Sequence, residues 1–153
     1  MSDIQGLIRD LVAANHILGA EGLCDAYGHI SVRNPDNPDT YFLSRSRSPE
    51  LVTESDILEF NLDNSPTRET ELPIYIERPI HGAVFEARPD VMSVIHNHCA
   101  EVLPFAITAT PMRPAIHNAK RLGETAPVWD IRDKFGDTDL LVTTNDQGHD
   151  LAA

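Results

Sequence analysis

The residue pattern predicts an α/β sandwich on a mostly antiparallel sheet, with helices packed outside it. Two observations lead there. The early apolar segments alternate in the manner of strands and are separated by turn residues, so successive strands meet through hairpins. Apolar residues at helical spacing stand before and after them, each able to bury one face. A doubly wound parallel sheet fits less well, because it places a helical crossover between its strands.

Taken in order, Ser2-x-x-Gln5 is a capping box opening a first helix. Ile4, Leu7, Ile8, Leu11, Val12 and Leu18 recur on one face of it, and Gly19 and Gly22 end it. Residues 28–33 alternate as a strand, the Pro/Asp/Asn cluster at 34–39 is a hairpin loop, and residues 41–44 return as a second strand. Residues 57–62 form a third strand before the Asp63-Asn64 turn. Helical spacing resumes at Ile76, Ile80, Ala83, Val84 and Ala87, and Pro89 closes it. Residues 91–95 read as a buried strand. A short helix at 100–107, a link through Pro111 and Pro114 to Ile116-His117, and a strand at 127–131 follow. Thr144-x-x-Gln147 is a second capping box, opening a helix that runs to the chain end.

A chain of 153 residues is long enough for one domain, 1–153, with a real core. A net charge of −12 argues against nucleic acid or an anionic membrane as partner. No apolar run approaches a membrane span, and the N-terminus lacks the basic and apolar regions of a secretory signal. Cys24 and Cys99 make no disulfide framework, which fits a reduced, cytoplasmic setting.

The chemistry concentrates at His96-Asn97-His98. Residues i and i+2 of a strand point to one face, so two imidazoles project together as a metal's ligand pair. Glu77 and His81, spaced i, i+4, share a face if their segment is helical. Two His and a carboxylate with an open position describe a catalytic site, since a structural zinc takes four protein ligands.

Several segments together resemble the class II aldolase/adducin family. Gly28-His29-Ile30-Ser31-Val32-Arg33 is similar to its G-N-x-S-x-R stretch. Glu77-x-x-x-His81, Arg88-Pro89-Asp90 and His96-Asn97-His98 resemble its acidic helix, R-P-D turn and zinc-binding H-x-H. The resemblance implies a three-layer α/β/α fold, assembly as a homotetramer, and a divalent metal, usually zinc, with manganese or iron as other candidates, held by His96 and His98. Glu77 is then a metal ligand or the proton-transfer group. Ser31, Arg33, Arg45, Arg47 and His117 fall where the substrate would be bound.

Three departures shift the expected chemistry away from phosphosugars. Tyr75 and Ile76 replace the phosphate-holding Ser-Ser pair, His29 replaces the Asn, and Asn118 replaces a tyrosine that protonates product in some members. Arg45 and Arg47, in Ser44-Arg45-Ser46-Arg47-Ser48, suit a carboxylate. This pattern looks like the decarboxylase-like branch, acting on small anionic substrates such as hydroxylated aromatic acids. The metal would then act as a Lewis acid and stabilise an enolate-like intermediate, with His29 as a general acid. The family's third metal His, in an H-G motif, is expected beyond Ala153, so the chain reads as incomplete at its C-terminus; His149 does not match it.

Some readings stay open. His29 is a catalyst or a satisfied polar neighbour, Arg45 and Arg47 face the site or solvent, and His81 supports a ligand. Cys99 reads as core, and His16 and His149 as non-catalytic. Beside the lyase stand a non-catalytic module like the adducin head and an Fe(II) oxygenase on the same residues.

Overall fold

The computed structural model describes residues 2–153. Helix α1 (Ile4–Ala20) leads to strand β1 (His29–Arg33), which hairpins into β2 (Thr40–Ser44) and then β3 (Ile57–Asn61). Helix α2 (Pro79–Ala87) carries the chain across to β4 (Ser93–His96). Short helices α3 (Leu103–Ile107), α4 (Arg132–Phe135) and α5 (Asn145–Ala152) follow. The sheet order is β3-β2-β1-β4, antiparallel at each pairing.

Strand alternation sorts the side chains into two layers. Ile30, Val32, Phe42 and Ile57 turn to one face and pack with Leu7, Leu11 and Leu18 of α1. Tyr41, Leu43 and Phe60 turn to the other and close on Tyr75 and on Phe85 of α2. Helix α5 then packs on α2, where Gly148 lies so near the Pro79 carbonyl that a Cβ would collide with it. The result is the expected three-layer α/β/α arrangement.

Arg33 locks the second layer. It is buried, and its guanidinium donates to the carbonyls of Pro38, Phe85, Arg88 and Val91 while lying 4.8 Å from the Phe85 ring centroid. A planar, permanently charged fork suits a cluster of carbonyl acceptors better than an ammonium would.

Several elements differ from expectation. The first helix is capped by Asp3, whose carboxylate accepts from Gly6 N–H, while the Ser2 amide donates to Asp36. Helix α2 starts two residues after Glu77, because Pro79 takes the first helical position, where its missing N–H costs nothing. Glu77 therefore stands in a turn, not on the helix. β4 is an edge strand with Ser93 and Ile95 exposed, not a buried one. Residues 127–131 pair with no strand among the described residues; Trp129 and Ile131 instead pack with Ile80 and Val142. The second capping box is present with both of its hydrogen bonds.

Candidate metal centre

The register of β1 against β4 builds the site. His29 is the direct cross-strand partner of His96, and their rings stack at 4.9 Å between centroids. His98 lies two residues past His96, just beyond the end of β4, so the strand does not orient it. Asp25 does: its Oδ2 lies 3.0 Å from His98 Nδ1, while its Oδ1 accepts from the N–H groups of Tyr27 and Gly28. The other nitrogen of His98 is thereby aimed at His96, with the two Nε2 atoms 3.2 Å apart.

Glu77 completes the set from the turn before α2. Its Oε1 accepts from Val142 N–H at 3.3 Å, and its Oε2 lies 3.3 Å from His96 Nε2. One donor atom from each of Glu77, His96 and His98 falls within 4.8 Å of the others. A tetrahedral ion with bonds of about 2.0–2.1 Å has donor edges of roughly 3.3–3.4 Å, so the 3.2 and 3.3 Å spacings fit one. Burial alone would raise the Glu77 pKa, but the hydrogen bond and charge of His96 and the Val142 amide hold it below its ordinary value. Its carboxylate is thus kept ionised, as a ligand must be.

Asp25 was not legible as a site residue. The local signal, an Asp in a tight turn before Gly28, marks only the turn; its partner is 73 residues away. A carboxylate behind a ligating His fixes its tautomer and raises its basicity, and losing one typically costs about 10–100-fold in metal affinity. Asp25→Asn is expected to weaken zinc binding by about that factor, read by competition with a chromophoric chelator. Unchanged affinity would refute the assignment.

Beside the donors is a cavity of about 450 Å³, lined by Tyr27, His29, Ser46, Ile74, Tyr75, Ile76, Glu77, His98 and Leu141. The Tyr75 ring packs on His29 at 4.2 Å, and its hydroxyl donates to the Arg47 carbonyl. The arginines of this loop are engaged elsewhere. Arg45 Nε and Arg47 NH1 bind Asp56 at 2.6 and 2.9 Å. Burial pushes the Asp56 carboxyl up, but these bonds and those from Thr53 outweigh it and hold it far below the usual carboxylate range. From this loop, Ser46 lines the cavity among the described residues.

The other expected residues scatter. Ser31 is fully buried against His81, and Arg33 spends its donors on backbone carbonyls. His117 is exposed at the start of a 3-10 helix and lines neither the cavity nor the donor cluster. His16 bonds the Val52 carbonyl and His149 pairs with Glu86. Cys99 is buried with Sγ 3.2 Å from Glu101, outside the donor set.

His81 sits wholly buried between His29 and Ser31, with contacts of 2.6 Å to each. Burial, aided by His96, pushes its pKa down to about 3, and His29 is likewise well below its ordinary value, first by burial and then by His81 and His96. In the unfolded chain both rings protonate near pH 6.5. A lowered folded pKa gives stability that is complete above about 6.5 and is lost as pH falls toward 3. The denaturation midpoint should drop between neutral and mildly acidic pH, and His81→Gln should flatten that drop. Equal slopes in both proteins would contradict it.

Residues 9–150 match the family model of the class II aldolase and adducin N-terminal domain. The chain belongs to the class II aldolase and adducin family. It is similar to the decarboxylase tropJ of Talaromyces stipitatus, with 39% identity over 150 residues, 95% of this chain and 56% of that protein. It is similar also to the 4-hydroxy-3-prenylphenylpyruvate oxygenase/4-hydroxy-3-prenylbenzoate synthase of Streptomyces roseochromogenus subsp. oscitans, at 28% identity over 82% of this chain and 44% of that one. Among solved structures, the L-fuculose 1-phosphate aldolase from Glaciozyma antarctica PI12 superposes with a TM-score of 0.68 at 25% identity, over 76% of this chain and 49% of that one. The chain thus spans about half the length of these family members. Among the described residues no helix is long and apolar enough to cross a membrane.

Proposed function

We propose that this class II aldolase family chain carries the metal-binding part of a carbon–carbon lyase, a decarboxylase of hydroxylated aromatic or related carboxylic acids in preference to a phosphosugar aldolase. The single observation that carries the reading is the convergence of Glu77, His96 and His98 within 4.8 Å of one another, with Glu77 and His98 on the wall of a cavity. These three residues would hold a divalent metal, zinc before manganese or iron. When bound, the cation supplies Lewis acidity toward substrate oxygens.

The chain's own residues define the rest. Tyr27, Ile74, Tyr75, Ile76 and Leu141 give the cavity apolar and aromatic walls that fit a planar ring. Among the described residues no Lys or Arg lines it, so the substrate's anionic groups would turn toward the cation that Glu77, His96 and His98 would hold. Ser46 offers a hydroxyl, and His29 a ring nitrogen, to a ligand in the same cavity. Ile76 stands where a phosphate-binding serine is found in sugar-phosphate aldolases. The similarity to the decarboxylase tropJ supports the same choice. Two buried free thiols suit a reducing cytoplasmic setting, and a homotetramer is the expected assembly, measurable by light scattering.

The similarity to a protein named as an oxygenase favours one second reading, oxidative cleavage with iron on the same residues. One experiment separates the two. Under anaerobic conditions and with zinc, hydroxylated aromatic acids should release carbon dioxide, and a chelator should abolish the release. Turnover that requires oxygen and iron would overturn the lyase reading, as would turnover indifferent to the chelator.

A further inference from the structure

We propose that Ser31, acting through His81, fixes His29 in the tautomer protonated on Nε2, so that its ring meets the cavity as a hydrogen-bond donor, not as a base or a metal ligand. The use of that donor rests on the lyase reading above; the tautomer does not.

Ser31 and His29 are alternate residues of β1 and face α2 together. His81 reaches down from α2 between them, with Nδ1 2.6 Å from Ser31 Oγ and Nε2 2.6 Å from His29 Nδ1. None of the three is more than 1% exposed. Both rings are buried and hydrogen-bonded to each other and to Ser31, with no carboxylate bonded to either among the described residues, so each is a neutral imidazole with one N–H and one lone pair. The chain of bonds can therefore run in two directions only. Either Ser31 donates to His81 and His81 donates to His29, or both donations are reversed.

The hydroxyl of Ser31 decides between them. Among the described residues its side chain has one hydrogen-bond partner, His81 Nδ1. If His81 donated to it, the Ser31 O–H would be buried with no acceptor, a cost of about 1–3 kcal/mol. In the other direction each hydrogen in the chain has an acceptor. Ser31 then donates to Nδ1 of His81, and His81 Nε2–H donates to His29 Nδ1. The proton of His29 is left on Nε2, the one nitrogen still free to meet a ligand.

Two consequences follow. A metal binds only an unprotonated ring nitrogen, so His29 stays out of the Glu77, His96 and His98 set although it stacks on His96. It offers an N–H toward negative charge instead, as neutral histidines do when they polarise a substrate oxygen. Ser31 and His81 are thus positioning residues that act through His29.

The test is nitrogen NMR on the 15N-labelled, metal-free chain at neutral pH. Two-bond proton–nitrogen correlations should show Nε2 protonated on both His29 and His81. A 15N–15N coupling across their hydrogen bond should join His81 Nε2 to His29 Nδ1. Protonation of His29 at Nδ1, or opposite tautomers on the two rings, would overturn the proposal. In His81→Gln the amide oxygen can accept from Ser31 and the amide N–H can donate to His29, so the His29 pattern should persist; a reversed pattern there would remove Ser31 from its role. The spectrum needs no substrate, so absence of carbon dioxide release would count against the lyase reading alone, and a wrong tautomer in an active enzyme against this one alone.

Discussion

His96→Ala is expected to reduce bound zinc from about one ion per chain to trace levels. His96 is the donor nearest both others, 3.2 Å from His98 Nε2 and 3.3 Å from Glu77 Oε2, so its loss leaves two donors with no shared neighbour. The affinity loss should exceed the roughly 10–100-fold ascribed to a supporting carboxylate such as Asp25. Elemental analysis after dialysis reads the outcome. His149→Ala is the matched control, because His149 pairs with Glu86 outside the donor set and its loss should leave the metal content intact. Equal zinc in wild type and His96→Ala would sink the metal assignment and the function built on it.

Phe85→Ala is expected to be the most damaging packing change. Phe85 is 1% exposed at the centre of the layer between sheet and α2, in contact with Tyr41 at 5.4 Å between ring centroids. Phe→Ala in a core costs about 3–5 kcal/mol. Here the change also removes the face on which the Arg33 guanidinium rests. For a chain of this size the thermal midpoint should fall by roughly 10 °C, measured by circular dichroism. A fall of only a degree or two would show that the layer repacks around the gap. Because α2 carries His81 and begins two residues after Glu77, the same variant should bind zinc more weakly even when folded.

Much of the architecture is legible in the sequence. Hairpin residues between β1 and β2, alternation within the strands, helical spacing in α1 and the capping box at Thr144 are all written in neighbours a few positions apart. The same holds for the His96/His98 pair, and for His29 by its likeness to a family segment. The fold departs from the local pattern where one short-range signal overrides another. Apolar spacing extended α2 back over Glu77, but Pro79 sets the helix start. Residues 127–131 read as a strand, yet among the described residues no strand pairs with them, and Trp129 and Ile131 pack with Ile80 of α2 and with Val142 instead.

The site residues show the division most clearly. Residue types and spacing pointed to Glu77, His96 and His98 as candidate donors, because a metal's need for imidazole and carboxylate is a matter of chemistry, and the fold brings them within 4.8 Å of one another. What each group is bonded to was not available at that level. Arg45 and Arg47 are committed to Asp56, and His98 is aimed by Asp25. Glu77 is turned by Val142, and His29 is tied through His81 to Ser31. These partners are 9 to 73 residues apart in the chain, and a hydrogen bond tolerates only a few tenths of an ångström. Such precision comes from the register of β1 on β4 and the seat of α2 on the sheet, which short-range patterns do not encode.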